Sequence, residues 1–235
     1  RCAPHIRKHK MLLYQLLKDP IQLILVLPCI LVSLTFHEWA HGYAAYKCGD
    51  MTAKMYGRLS LNPLAHLDPV GSVCMLLFGF GWAKPVPVNP DNFHNRKKGC
   101  VLVSIAGVTV NIIFALLGCP LIFLASKVGI DAEWAKYINM LIHDLPVSFF
   151  SINISLFVFN LLPIYPLDGF RLYDALTKNR GKFYYFVRNK GFYILLAIFV
   201  LGYIGDWLNI PYLDIIGYLS NLVGSAIIKL WSFIL

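Results

Sequence analysis

Residues 30–41 read Ile-Leu-Val-Ser-Leu-Thr-Phe-His-Glu-Trp-Ala-His, an apolar run that ends on three ionisable groups, His37, Glu38 and His41. In a helix, residues four apart project from one face, one turn apart. His37 and His41 can therefore bind the same divalent ion, and Glu38 between them can take a proton from a water at that ion. An ionisable side chain inside an apolar helix costs on the order of 2–3 kcal/mol when nothing satisfies it. The pattern predicts either a metal centre or a satisfied polar cluster that holds helices together.

The rest of the chain has the composition of a membrane protein. It is 235 residues long, 58% hydrophobic and 14% charged, whereas soluble domains carry about 25% charged residues. Apolar runs cover 21–36, 100–126, 145–162, 192–205 and 212–235, lengths suited to a hydrocarbon layer about 30 Å thick. The apolar run 69–81 is short for a crossing and suits a re-entrant helix. Residues 57–63 read as a short strand and turn, and Pro85, Pro87 and Pro90 exclude a helix around them. The expected fold is an all-α polytopic membrane protein of about six membrane segments, five spans plus one re-entrant, with a small membrane-associated β-hairpin region.

Three regions follow along the chain: a basic N-terminal segment at 1–20, a core at 21–176, and a basic loop with two transmembrane helices at 177–235. The first apolar run contains His37 and is expected to be retained rather than cleaved as a signal. Basic residues crowd 47–98 and 170–190, while 127–144 balances Lys127 and Lys136 against Asp131, Glu133 and Asp144. Positive charge marks cytoplasmic loops, so the first two regions are expected on the cytoplasmic side of a cell membrane and 127–144 opposite. The basic N-terminus points the other way under the same rule.

The formal charge of +9 lies in these loops without the aromatic interleaving of nucleic-acid readers, so no nucleic-acid partner is expected. Cys2, Cys29, Cys48, Cys74, Cys100 and Cys119 show no close paired spacing and are expected as free thiols.

A catalytic zinc commonly has three protein ligands, which leaves one to find beyond the two histidines. Asp168 ends another apolar span in Asn160-Leu-Leu-Pro-Ile-Tyr-Pro-Leu-Asp-Gly169. Pro163 and Pro166 break that helix and Gly169 relaxes the backbone, which frees the carboxylate to turn toward a neighbour. Capping a helix that starts near Phe170 is the alternative use of Asp168. His66 and Asp68 are expected to brace the turn around 62–71, and His5, His9, His94 and His143 to lie at the surface.

Four segments, 36–42, 61–71, 81–89 and 160–169, together resemble the site-2 protease family of intramembrane zinc metalloproteases. The closer resemblance is to its compact bacterial and archaeal branch without PDZ or CBS domains, and it extends from about residue 21 to 176. The resemblance implies one Zn²⁺ per chain on His37, His41 and Asp168, Glu38 as the catalytic base, and a transmembrane protein as substrate within the lipid bilayer. It also implies a catalytic part for Asn111, in Ala106-Gly-Val-Thr-Val-Asn111, in positioning substrate or the oxyanion. Val108 stands where relatives commonly carry proline. An interhelical hydrogen bond is the other use of that amide. A metal-binding or metal-transporting membrane protein would use the same three ligands, but would need more ionisable groups along the remaining spans.

Overall fold

Long apolar sequence satisfies its backbone inside a bilayer only by bonding within itself, and a helix does this residue by residue. The computed structural model describes residues 20–78, 81–129, 136–178 and 180–234, and its five long helices are the consequence. They are α1 (Pro20–Lys47), α4 (Arg96–Ala125), α5 (Lys136–Leu161), α7 (Lys182–Leu208) and α8 (Ile215–Ser232). Short helices α2 (Thr52–Met55), α3 (Pro69–Phe78) and α6 (Asp168–Leu176) stand between them. Four of these helices, α4, α5, α7 and α8, are long and apolar enough to cross a membrane. The chain is an integral membrane protein.

Several expectations change here. No strand forms among the described residues: the hairpin expected within 47–98 reduces to one antiparallel bridge between Leu67 and Ala83. Lys84 N donates to His66 O beside it. Proline at 85 and 87 removes the donors that a longer ladder would need. The segment 136–144, expected as loop, is the first part of α5, and Pro146 sits inside that helix. The loop expected as far as Lys190 narrows to about 177–181, because lysine and arginine are good helix formers and α7 begins at Lys182. The N-terminal 1–19, with Cys2, His5 and His9, lies outside the described residues.

Packing follows two stripes at a spacing of four. On α1 the stripe is Cys29, Ser33, His37, His41 and Ala45; on α4 it is Gly99, Val103, Gly107, Asn111, Ala115 and Cys119; all are buried. Rows of that spacing form the ridges by which helices interdigitate. Small residues along α4 allow the close approach that association in lipid relies on. The α4 row meets α5 and α8 further along, where Ala115 and Cys119 join Phe150, Ile154, Val158 and Ile227 in the main apolar cluster. A second cluster, Phe170 with Tyr184 and Val187, docks α6 on α7. Cys29, Cys48, Cys74, Cys100 and Cys119 are free thiols.

Candidate metal centre

The α1 stripe brings His37 and His41 against the middle of α4. His41 Nδ1 lies 2.7 Å from the Val103 carbonyl oxygen, and His37 Nδ1 lies 2.6 Å from Asn111 Oδ1. A carbonyl oxygen only accepts, so each ring donates from Nδ1 and turns the Nε2 lone pair inward. The two Nε2 atoms stand 3.1 Å apart.

Asp168 comes from the other end of the core. Helix α5 stops at Leu161, the chain turns through Pro163 and a cis Tyr165–Pro166 peptide, and α6 starts on Asp168 itself. Leu167, not Asp168, occupies the N-cap position, so capping is not the use of this carboxylate. Its Oδ2 stands 3.2 Å from His37 Nε2 and 2.9 Å from His41 Nε2. The guanidinium of Arg171, half exposed one turn on, lies 3.8 Å from Oδ1.

Three lone-pair atoms thus converge on one buried point, and Asp168 Oδ2 has no hydrogen-bond donor. Three acceptors at these spacings suit a cation held between them. A tetrahedral zinc with bonds of about 2.0–2.1 Å separates its ligands by about 3.3 Å, close to the spacing found. Gly107 completes the cradle: a Cβ there would lie 2.5 Å from both His37 Cε1 and His41 Nε2. The residues present therefore fit a metal ion.

Glu38, half-buried, accepts at Oε2 from the backbone N–H of Val86 at 3.0 Å. Asn111 is fully buried; one of its amide hydrogens goes to Asn153 Oδ1 at 3.0 Å, and its oxygen faces His37. His66 Nε2 donates to Ser60 O and Asp68 Oδ1 caps α3 at Gly71 N, so both brace their turn, and neither belongs to the His37–His41–Asp168 group. His94 is exposed and His143 partly so.

Sequence reasoning overlooked Ser33, Val103, Gly107 as a cradle, Asn153 and Arg171. The spacing-of-four rows carry a signal for the first three, since Ser33 precedes His37 by one turn, and Val103 and Gly107 precede Asn111. Nothing in the sequence marks Asn153 beyond its polarity in an apolar helix.

The sequence model of Peptidase family M50 matches residues 123–202, a stretch that holds Asp168 but not the histidine pair. "Putative zinc metalloprotease YwhC" of Bacillus subtilis is 41% identical over 87% of this chain and 90% of its own length. "Putative zinc metalloprotease Rip2" of Mycolicibacterium smegmatis is 26% identical over 89% of this chain and 81% of its own. The Mycobacterium tuberculosis protein of the same name is likewise 26% identical, over 89% and 81%. No solved structure matches the chain.

Proposed function

The chain belongs to peptidase family M50, the site-2 protease family, and is a metalloendopeptidase; from that premise we propose that it cleaves transmembrane segments of membrane-protein substrates at one zinc ion held by His37, His41 and Asp168. The observation that carries the reading is the convergence of three buried lone-pair atoms within 3.2 Å, including an Asp168 oxygen with no donor. Zinc there supplies Lewis acidity toward the scissile carbonyl and makes a water acidic enough to ionise near neutral pH.

The chain's own groups do the remainder. With Nδ1 donating to Asn111 and Val103, His37 and His41 turn Nε2 toward the ion. Asp168 adds a carboxylate from a second element, which offsets part of the ion's charge in a medium of low dielectric. Glu38 takes the proton of the attacking water and passes it to the leaving amine. Val86 N–H holds one oxygen of that carboxylate, so Glu38 keeps the other for the proton. Asn111 has one amide hydrogen left after Asn153, and that hydrogen is what it can offer a substrate oxygen.

Depth supports the intramembrane reading. At 1.5 Å per residue, Gly107 lies about 16 Å from the basic first turn of α4 and about 27 Å from its far end. The metal ligands packed on it therefore sit inside the apolar span, nearer the Arg96–Lys98 end. With positive charge marking the cytoplasmic side, the site opens toward the cytoplasm. In this arrangement α1 is the fifth crossing and α3 re-enters. Labelling of cysteines placed at Lys178 and Lys136 is expected to report opposite faces.

The test is reconstitution into proteoliposomes with a panel of single-span substrates. Wild type is expected to cleave and to hold one zinc, Glu38→Gln to hold zinc without cleaving, and Asp168→Ala to fold without zinc. Equal cleavage by wild type and Glu38→Gln, or full zinc in Asp168→Ala, would refute the reading.

A further inference from the structure

Asn153 sits fully buried in the middle of α5, outside every motif that supplies the metal ligands. Its amide nitrogen donates to the Phe149 carbonyl and to Ser33 Oγ, each at 2.9 Å. Its oxygen accepts from Asn111 Nδ2 at 3.0 Å, and Asn111 Oδ1 in turn faces His37 Nδ1 at 2.6 Å. The relay joins α1, α4 and α5 and runs in one direction only. A peptide carbonyl cannot donate, so Asn153 must turn its nitrogen toward Phe149 and its oxygen toward Asn111. Asn111 must then give its nitrogen to Asn153 and its oxygen to His37. His37 consequently carries its proton on Nδ1 and leaves the Nε2 lone pair toward Asp168 and His41.

We propose that Asn153 is a positioning residue of the metal centre, setting the amide orientation of Asn111 and through it the tautomer of His37. The inference rests on the zinc reading given above. Without Asn153, Asn111 is free to turn over and present N–H to His37. The ring then favours a proton on Nε2, the tautomer that cannot bind the ion. Outer partners that fix a ligand histidine typically change metal affinity about 10- to 100-fold. Ser33 is the lesser anchor, because Phe149 O alone already fixes the direction of the relay.

The experiment measures zinc affinity of the full chain in detergent micelles by competition with a chromophoric chelator. The visible spectrum of the Co²⁺-loaded protein reports ligand geometry. Asn153→Leu is expected to bind zinc about 10- to 100-fold more weakly than wild type and to alter the Co²⁺ bands. Ile154→Ala, which empties core space one residue along without touching the relay, is expected to lower thermal stability and leave zinc affinity unchanged. Should Asn153→Leu not fold, Asn153→Ser, whose hydroxyl is too short to span the relay, carries the same expectation. Wild-type affinity in Asn153→Leu overturns the proposal, as does equal weakening in Ile154→Ala. A wild type that binds no zinc overturns the zinc reading as well, whereas a zinc-binding wild type with an indifferent Asn153 overturns this inference alone.

Discussion

The backbone N–H of Val86 donates to Glu38 Oε2 at 3.0 Å across 48 residues of sequence. The carboxylate proposed as base is therefore aimed by an extended segment rather than by its own helix. That segment is clamped on both sides. Arg58 donates to the carbonyls of Ala65, Lys84 and Pro85, and Asp50 accepts from Asn89 N at 2.7 Å and Asn92 Nδ2 at 2.8 Å. The Lys84 and Pro85 carbonyls and the Val86 N–H are thereby all engaged within the chain.

The clamp at Asp50 predicts a pH response. Burial pushes the Asp50 carboxyl up, but hydrogen bonds from Thr52, Asn89 and Asn92 outweigh it and hold the group below the usual carboxylate range. A carboxyl whose folded value lies below its unfolded value of about 3.9 stabilises the fold above that pH. The stabilisation is lost as pH falls through the folded value. Asp50→Asn is expected to cost about 1–3 kcal/mol at neutral pH, the scale for leaving buried donors poorly satisfied. Its thermal melts should also depend less on pH than those of wild type below about pH 4. Parallel wild-type and variant curves across that range would show that the clamp does not act through ionisation.

Gly107 predicts a steric effect on the metal. An added methyl would lie 2.5 Å from His41 Nε2 and 2.7 Å from His37 Nδ1. Neither ring can retreat while Val103 and Asn111 hold its Nδ1. Gly107→Ala is expected to lose at least about tenfold in zinc affinity, the lower end for disturbing a ligand's support. Zinc content after dialysis against a graded chelator series reads this directly.

Gly191 reaches the site from a helix that supplies no ligand. A Cβ there would collide with the Tyr165 carbonyl oxygen, so α7 lies directly behind the turn that delivers Asp168. Gly191→Val must push that turn, and a displacement near 1 Å at a catalytic group can cost about a hundredfold in rate. Cleavage is expected to fall by about ten- to a hundredfold. Gly202→Ala in the same helix, where the nearest atom would be 3.6 Å from the new Cβ, is the control expected to cleave normally.

Much of this site is legible in residue order because helices impose a local rule. His37 and His41 share a face by spacing alone, and prolines at 163 and 166 end α5 where Asp168 is needed. The buried rows on α1 and α4 are also local, since each depends only on a repeat of four. The strand and hairpin expected in 47–98 failed for a different reason. Side chains clamp that backbone, Arg58 on three carbonyls and Asp50 on the Asn89 N–H and the Asn92 amide, in place of a strand ladder.

By itself the sequence determined that apolar runs become membrane helices, that two histidines share a turn, and that Asp168 follows a broken helix. Only the tertiary structure decided which way each imidazole faces. That choice is made by Val103, Asn111 and Asn153, hydrogen-bond partners 62 and 74 residues from the rings and then a further 42 residues on. Hydrogen-bond direction is a property of the atoms that meet across a helix interface, and spacing along one chain does not carry it. The aim of Glu38 is settled in the same way, by a single N–H of Val86 from a segment with no regular structure.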